Sequence, residues 1–318
     1  LGGKTPLMAA HTPMMDTLAA RSEIGLAATI PDGMKPGSDT ANLAVLGYDP
    51  RASYTGRSPL EALSIGVDMK PDDIALRCNL VTLSSEPGLA YSERTILDHS
   101  SGEISTGDAA VLLDVLRREF ASETYQFYVG TSYRHLLIWA GGEALDLSQP
   151  HDHLGEVIGA YLPEDQMLRH MMERSFELLD NHPINVERAK KGLNKANSAW
   201  FWGAGTRPSL AGFTEKTGKR GAMISAVDLL KGIAVGTHMQ GMDVPGATGG
   251  LHTDYHSKAQ AAVQALCEDG NDFVYVHIEA PDEMGHQGSV ERKVQAIEYL
   301  DDRIIRPIYE ALTAQGVE

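Results

Sequence analysis

Only two cysteines, Cys78 and Cys267, occur in 318 residues, and they lie far apart. That rules out both a disulfide framework and the paired spacing of a zinc ribbon. A reducing, cytoplasmic setting is the expectation. No run of about 18 apolar residues is present, so no transmembrane helix is expected. Positive charge is scarce: 27 Lys and Arg face 43 Asp and Glu, a formal net charge of -16. Nucleic acid and anionic membrane are therefore not expected partners, because a phosphate backbone requires a basic surface. A small phosphorylated substrate stays compatible, since a few arginines and bound cations can hold one inside an acidic protein. No internal repeat or low-complexity tract is visible. The glycine-rich pieces Gly141-Gly142, Gly203-Ala204-Gly205 and Gly246-Ala247-Thr248-Gly249-Gly250 match neither a P-loop nor a dinucleotide fingerprint, and read as turns.

What is present is more specific. The stretch 272–278, Asp-Phe-Val-Tyr-Val-His-Ile, is apolar and β-branched, and Ala280-Pro281 breaks it just before Asp282 and His286. Four residues apart on a helical turn, a carboxylate and an imidazole can converge on one divalent cation. Their place after a strand fits too, because ligands of open α/β sheets collect outside the carboxyl ends of strands. Further donors, His277 and Glu279, stand beside them.

The pattern divides the chain into parts. Thr12-Pro13 opens a helix that Gly25 should end, 31–37 is loop by composition, and Ser38 begins a short helix closed by Gly47. Over 61–185, strands (73–83, 125–129, 135–139) and helices (106–120, 165–179) come in mixed order, the mark of a separate α+β domain. From 186 onward helix and strand alternate, with 198–202, 221–224 and 272–278 as strands and a long helix over 288–312. Such alternation predicts a doubly wound, mostly parallel sheet, so 1–60 and 186–318 form a discontinuous core and 61–185 an insertion.

Candidate chemistry follows from residue types. Ser38 is the candidate nucleophile: Gly37 lets a ligand approach closely, and the helix that starts there offers free N–H groups to an anion. The alternative is a plain N-cap. His151-Asp152-His153 is open to two readings, a ligand cluster or a capped turn. Arg77, Arg94 and Arg134, with His135 beside the last, lie near strand ends in the inserted domain and offer guanidinium forks to a phosphate or carboxylate. Trp200 and Trp202 read as core or domain-contact residues.

Longer motifs carry a resemblance. Segments 1–7 (Leu-Gly-Gly-Lys-Thr-Pro-Leu), 12–16, 36–50 (Pro-Gly-Ser-Asp-Thr-Ala-Asn-Leu-Ala-Val-Leu-Gly-Tyr-Asp-Pro), 221–228, 244–249 and 279–286 (Glu-Ala-Pro-Asp-Glu-Met-Gly-His) resemble the archaeal-type cofactor-independent phosphoglycerate mutases. The resemblance covers nearly the whole chain. It implies an alkaline-phosphatase-like fold with an inserted substrate-covering domain. It also implies interconversion of 3-phosphoglycerate and 2-phosphoglycerate, without 2,3-bisphosphoglycerate, through a phosphoserine at a site of two divalent cations. Mn2+ or Mg2+ are the expected ions, with Zn2+ a third option. Ser38 matches the phosphorylated serine and a metal ligand, Asp282 and His286 match two further metal ligands, and Arg77, Asp98, Arg134 and His135 match substrate-binding segments.

The family's remaining metal ligands, an Asp ahead of the segment at 1–7 and an Asp-His pair and a His past 318, would lie outside this sequence. Terminal segments of a longer protein are thus expected. The rival readings are another metal-dependent phosphomutase or phosphatase of the same superfamily, and an inactive fragment or binding protein that keeps the fold.

Overall fold

In the computed structural model, which describes residues 1–34 and 36–317, the chain folds as two units: Leu1–Ser53 with Ser209–Glu318, and Tyr54–Pro208. The first unit begins with α1 (Pro6–Ala9), α2 (Pro13–Ala19), α3 (Ser38–Val45) and α4 (Pro50–Ser53). Proline opens α1 and α2, where its missing N–H is no loss. α2 stops well before Gly25, because the Ser22 hydroxyl donates to the Leu18 carbonyl and closes the last turn. The loop over 31–37 is loop, with Lys35 outside the described residues. α3 ends as expected: Gly47 takes φ 81 and the Tyr48 N–H returns to the Leu43 carbonyl.

The second unit holds α5 (Arg57–Ser64), β1 (Asp73–Leu83), β2 (Ile96–Asp98), α6 (Thr106–Phe120), β3 (Tyr125–Tyr128), β4 (Arg134–Ala140), α7 (Gln166–Leu179), α8 (Pro183–Lys190) and β5 (Ser198–Thr206). All of β1 is buried, because β4 and β5 pair with it antiparallel on its two edges. Two amphipathic helices supply the cover. Ser105 caps α6 and Asp165 caps α7, each accepting backbone N–H groups of the first turn. Their stripes, Leu112, Leu113 and Leu116 with Leu168, Met171 and Met172, join Leu76, Leu80 and Trp200 in one core.

β5 corrects the sequence reading. The alternation after 186 assigned 198–202 to the doubly wound sheet, yet it pairs with β1 over 198–206. The tract Gly203-Ala204-Gly205 is strand rather than turn. A Cβ at Gly205 would collide with the Thr55 carbonyl oxygen and the Gly56 Cα, so the glycine permits that close approach.

The chain then returns to the first unit as α9 (Phe213–Thr217), β6 (Gly221–Ile224), α10 (Asp228–Gly236), β7 (Gln240–Met242), α11 (Tyr255–Cys267), β8 (Phe273–Val276), α12 (Ala280–His286), α13 (Val290–Leu300) and α14 (Arg306–Ala314). The strands are parallel in the order β7-β6-β8. That sheet fits the alternation, and the chain as a whole is mixed α/β with one parallel and one antiparallel sheet. The single helix expected over 288–312 is interrupted by a π-helical turn at Asp301–Ile305. The carboxylate of fully buried Asp301 accepts the Met14 and Met15 N–H groups at 3.1 and 2.6 Å, so its side chain is committed to capping α2. Pro307, with no N–H, releases the helical ladder just there. Among the described residues no helix is long and apolar enough to cross a membrane.

Candidate active site

The first unit assembles a polar cluster at the carboxyl ends of β6 and β8. Gly37 is the N-cap of α3, so Ser38 is the first helical residue and not the cap expected of it. The exposed Ser38 hydroxyl has no hydrogen-bond partner among the described residues, and in the first turn of α3 beside it the Asp39 carboxylate accepts the Thr40 N–H at 2.8 Å. Behind Ser38, Asn42 donates to the Ser38 carbonyl at 2.7 Å and accepts from the Tyr275 hydroxyl at 2.6 Å. This chain ties the serine turn to β8. Past β8, His277 faces Ser225 of the β6 end at 3.5 Å and Asp282 electrostatically. Burial, helped by the Lys258 charge, pushes its pKa down to about 4, so it is a neutral ring at physiological pH. Lys258 itself is buried, donates to the Thr248 carbonyl at 3.1 Å and feels the Glu279 charge.

Asp282 and His286 lie on α12 with Oδ2 and Nε2 3.2 Å apart, both largely exposed. An oxygen and a nitrogen donor on one helical face suit one Mn2+ or Mg2+, and Zn2+ as well. Among the described residues no group of three His, Cys, Asp or Glu side chains converges as a cation site, so the pair fits as two donors of a larger set.

The second unit holds an anion-seeking cluster at the β1–β4 pairing. The register sets Asn79 opposite Arg134, Cys78 opposite His135 and Arg77 opposite Leu136. Arg77 is buried under Trp202, whose ring centroid lies 5.2 Å from the guanidinium carbon. The Gly130 N–H donates to His135 Nδ1 at 3.2 Å, which places the ring proton on Nε2. That Nε2, like Arg77 Nε, Arg134 Nε and His99 Nδ1, is buried and without a partner. Buried polar groups ordinarily find partners, so these atoms mark a candidate ligand region, with Arg77 and Arg134 on one face of the sheet and His135, opposite Cys78, on the other; Arg94 Nε is a fifth such atom. Burial and the Arg77 charge hold the His135 pKa down at about 4. His135 is thus a neutral donor, suited to an oxyanion.

Not every expected residue points into this cluster. Burial raises the Asp98 pKa, but bonds from Ser100, Gly102 and Asn194 outweigh it and hold the carboxylate below its ordinary value. Its role here is to pin a loop in which Ser101, Gly102 and Glu103 take φ 52, 63 and 50 in succession. That loop carries His99. Arg94 is a structural residue, donating to the carbonyls of Ser84, Glu86 and Leu89 above the Phe176 ring. His151, ambiguous in sequence, lies edge-on to both Trp202 and His99 at 5.4 and 5.9 Å. Sequence reasoning missed Arg57 and Glu61 of α5, which meet Arg77 through one carboxylate. A positive charge in a helix first turn was the available signal.

An exposed serine hydroxyl at a helix start and a carboxylate–imidazole pair beyond a parallel strand in one unit, and buried guanidiniums in the other, are features of an α/β protein suited to small anions. Comparisons narrow the class. Residues 19–185 match the family of 2,3-bisphosphoglycerate-independent phosphoglycerate mutases. A curated member from Methanosarcina barkeri is 49% identical over 313 residues, 97% of this chain and 76% of the relative. A probable member from Geobacter sulfurreducens is 46% identical over 320 residues, 99% of this chain and 79% of its own length. Among solved structures, a protein from Pyrococcus horikoshii superposes with TM-score 0.75 at 30% identity, covering 98% of this chain and 73% of its own. The cofactor-independent phosphoglycerate mutase of Thermoplasma acidophilum gives TM-score 0.57 at 28% identity, over 99% and 79% of the two chains. The chain belongs to the 2,3-bisphosphoglycerate-independent phosphoglycerate mutase family.

Proposed function

We propose that the protein interconverts 3-phosphoglycerate and 2-phosphoglycerate, a step of glycolysis and gluconeogenesis, by passing the phosphoryl group through Ser38. The observation that carries this reading is the exposed Ser38 hydroxyl, without a partner among the described residues, at the start of an eight-residue helix tied through Asn42 and Tyr275 to the strand that leads to Asp282 and His286. In this reading Ser38 Oγ attacks phosphorus as the ester bond to glycerate breaks, and the serine proton passes to the departing glycerate oxygen, which leaves as the hydroxyl. Glycerate then presents its other hydroxyl, which takes the phosphoryl group back and frees Ser38. Arg77, Arg134 and His135 retain the acid between the two transfers. Asp282 and His286, with Ser38, are proposed ligands in a site of two divalent cations, Mn2+ or Mg2+. A bound cation would stabilise negative charge on the transferring oxygens.

The alkaline-phosphatase-like architecture, the cytoplasmic location and the absence of a nucleic-acid or membrane partner belong to the same proposal, supported by the family and by the acidic composition. The rival reading is a phosphatase of the same class. Incubation of the intact protein with 3-phosphoglycerate separates them: 2-phosphoglycerate accumulates without inorganic phosphate for a mutase. Release of stoichiometric phosphate would decide for the phosphatase.

A further inference from the structure

Glu61 breaks local rules in a way that helix stability does not explain. α5 begins with Arg57, a positive charge in the first turn, where the helix dipole favours a negative one. Arg57 also precedes Glu61 by four residues, the weaker order for such a pair. Yet Glu61 is buried, and its Oε1 accepts a hydrogen bond from Arg57 Nε and forms an ion pair with Arg77 Nη1, both at 3.1 Å. Removing a carboxylate that bridges two guanidiniums would leave like charges facing each other with Arg77 deep in the protein.

The consequence lies in what this bridge leaves open. Glu61 takes only Nη1 of Arg77, and Trp202 packs on its face. The Nε edge of the guanidinium, which can meet an oxyanion bidentately, remains unpartnered. Three guanidiniums, Arg57, Arg77 and Arg134, stand against one carboxylate, and His135 is neutral. The cluster therefore keeps two positive charges, the complement of a phosphate dianion.

We propose that Glu61 is a positioning residue for substrate: it fixes Arg77 so that its free Nε edge receives an oxyanion of the phosphorylated acid, and it never touches the reacting atoms. The inference rests on reading the Arg77–Arg134–His135 cluster as the substrate site. The test measures KM and kcat for 3-phosphoglycerate, inhibition by inorganic phosphate, and melting temperature for Glu61→Ala, Glu61→Gln and Arg77→Met in the intact protein. For Glu61→Ala the expectation is a KM and a phosphate inhibition constant raised about tenfold, with kcat within about twofold, because ground-state and transition-state binding are lost alike. Glu61→Gln keeps an acceptor oxygen and should recover part of the loss, to about threefold above wild type; if the alanine variant does not fold, this variant alone decides. A lower melting temperature with unchanged KM, or a KM that falls in either variant, would overturn the inference. Arg77→Met separates the two levels. If it leaves KM unchanged, the substrate-site reading itself is wrong; if it raises KM and neither Glu61 variant does, only the role of Glu61 fails.

Discussion

At the scale of single residues, chemistry concentrates where the local environment leaves a group unspent. The Ser38 hydroxyl has no partner among the described residues, so Ser38→Ala should leave the melting temperature within about 1 °C while lowering mutase turnover about 1,000-fold or more, since the proposed nucleophile is gone. His135 gives a pH test with a defined sign. Its folded pKa, about 4, lies below the ordinary 6.5, so the unfolded chain binds the extra proton between those values. The stability it contributes is complete above pH 6.5 and is lost as pH falls toward 4. His277 adds the same slope from the other unit. Melting curves recorded between those limits should show His135→Gln losing less stability on acidification than wild type. An unchanged slope would contradict the assignment. The places of Ser38 at the start of α3 and of Asp282 and His286 one turn apart after β8 were legible in sequence, because their spacing to Gly37, to β8 and to each other is local. Glu61 was not, because its meaning depends on Arg77, which the β-sheet delivers from another segment.

At the scale of elements, the proline start of α2 and the glycine stop of α3 were read from residue type, while α7 and α11 were read from helical periodicity. Asp165 before α7, Asp254 before α11 and Gly47 after α3 act as their types dictate. The misreadings came from long-range partners. A helical period over 288–312 cannot reveal that Asp301 will cap α2, and an alternating pattern cannot say which sheet β5 joins. Asp301→Ala should therefore cost about 3 kcal/mol, one buried and one part-buried N–H bond to its carboxylate, seen as a shift of the denaturant midpoint. The turn before β4 is equally constrained. A Cβ at Gly130 would collide with the Arg134 carbonyl oxygen. Gly130→Val should displace Arg134 and His135 together and raise KM more than it lowers the melting temperature of a protein this size would suggest.

At the scale of the whole molecule, the first unit carries Ser38, the proposed phosphoryl acceptor, and the carboxylate–imidazole pair, and the second carries the guanidiniums and the neutral His135. The mixed α/β class and the parallel sheet could be read from alternation and strand length, and the family from motifs spread along nearly the entire chain. The boundary of the second unit could not, since β5 closes that unit through pairing with β1 at a distance of more than a hundred residues in sequence. Treatment with a chelator should abolish turnover and Mn2+ or Mg2+ should restore it, while Asp282→Asn lowers bound metal measured after dialysis. The most direct measurement of the central claim is transfer of label from 3-phosphoglycerate carrying radioactive phosphate, with rapid acid quench and peptide mapping. The account predicts label on the Ser38 peptide during turnover, label retained in 2-phosphoglycerate, and neither in Ser38→Ala. Product formed by Ser38→Ala at the wild-type rate, or label that never visits the serine peptide, would contradict it.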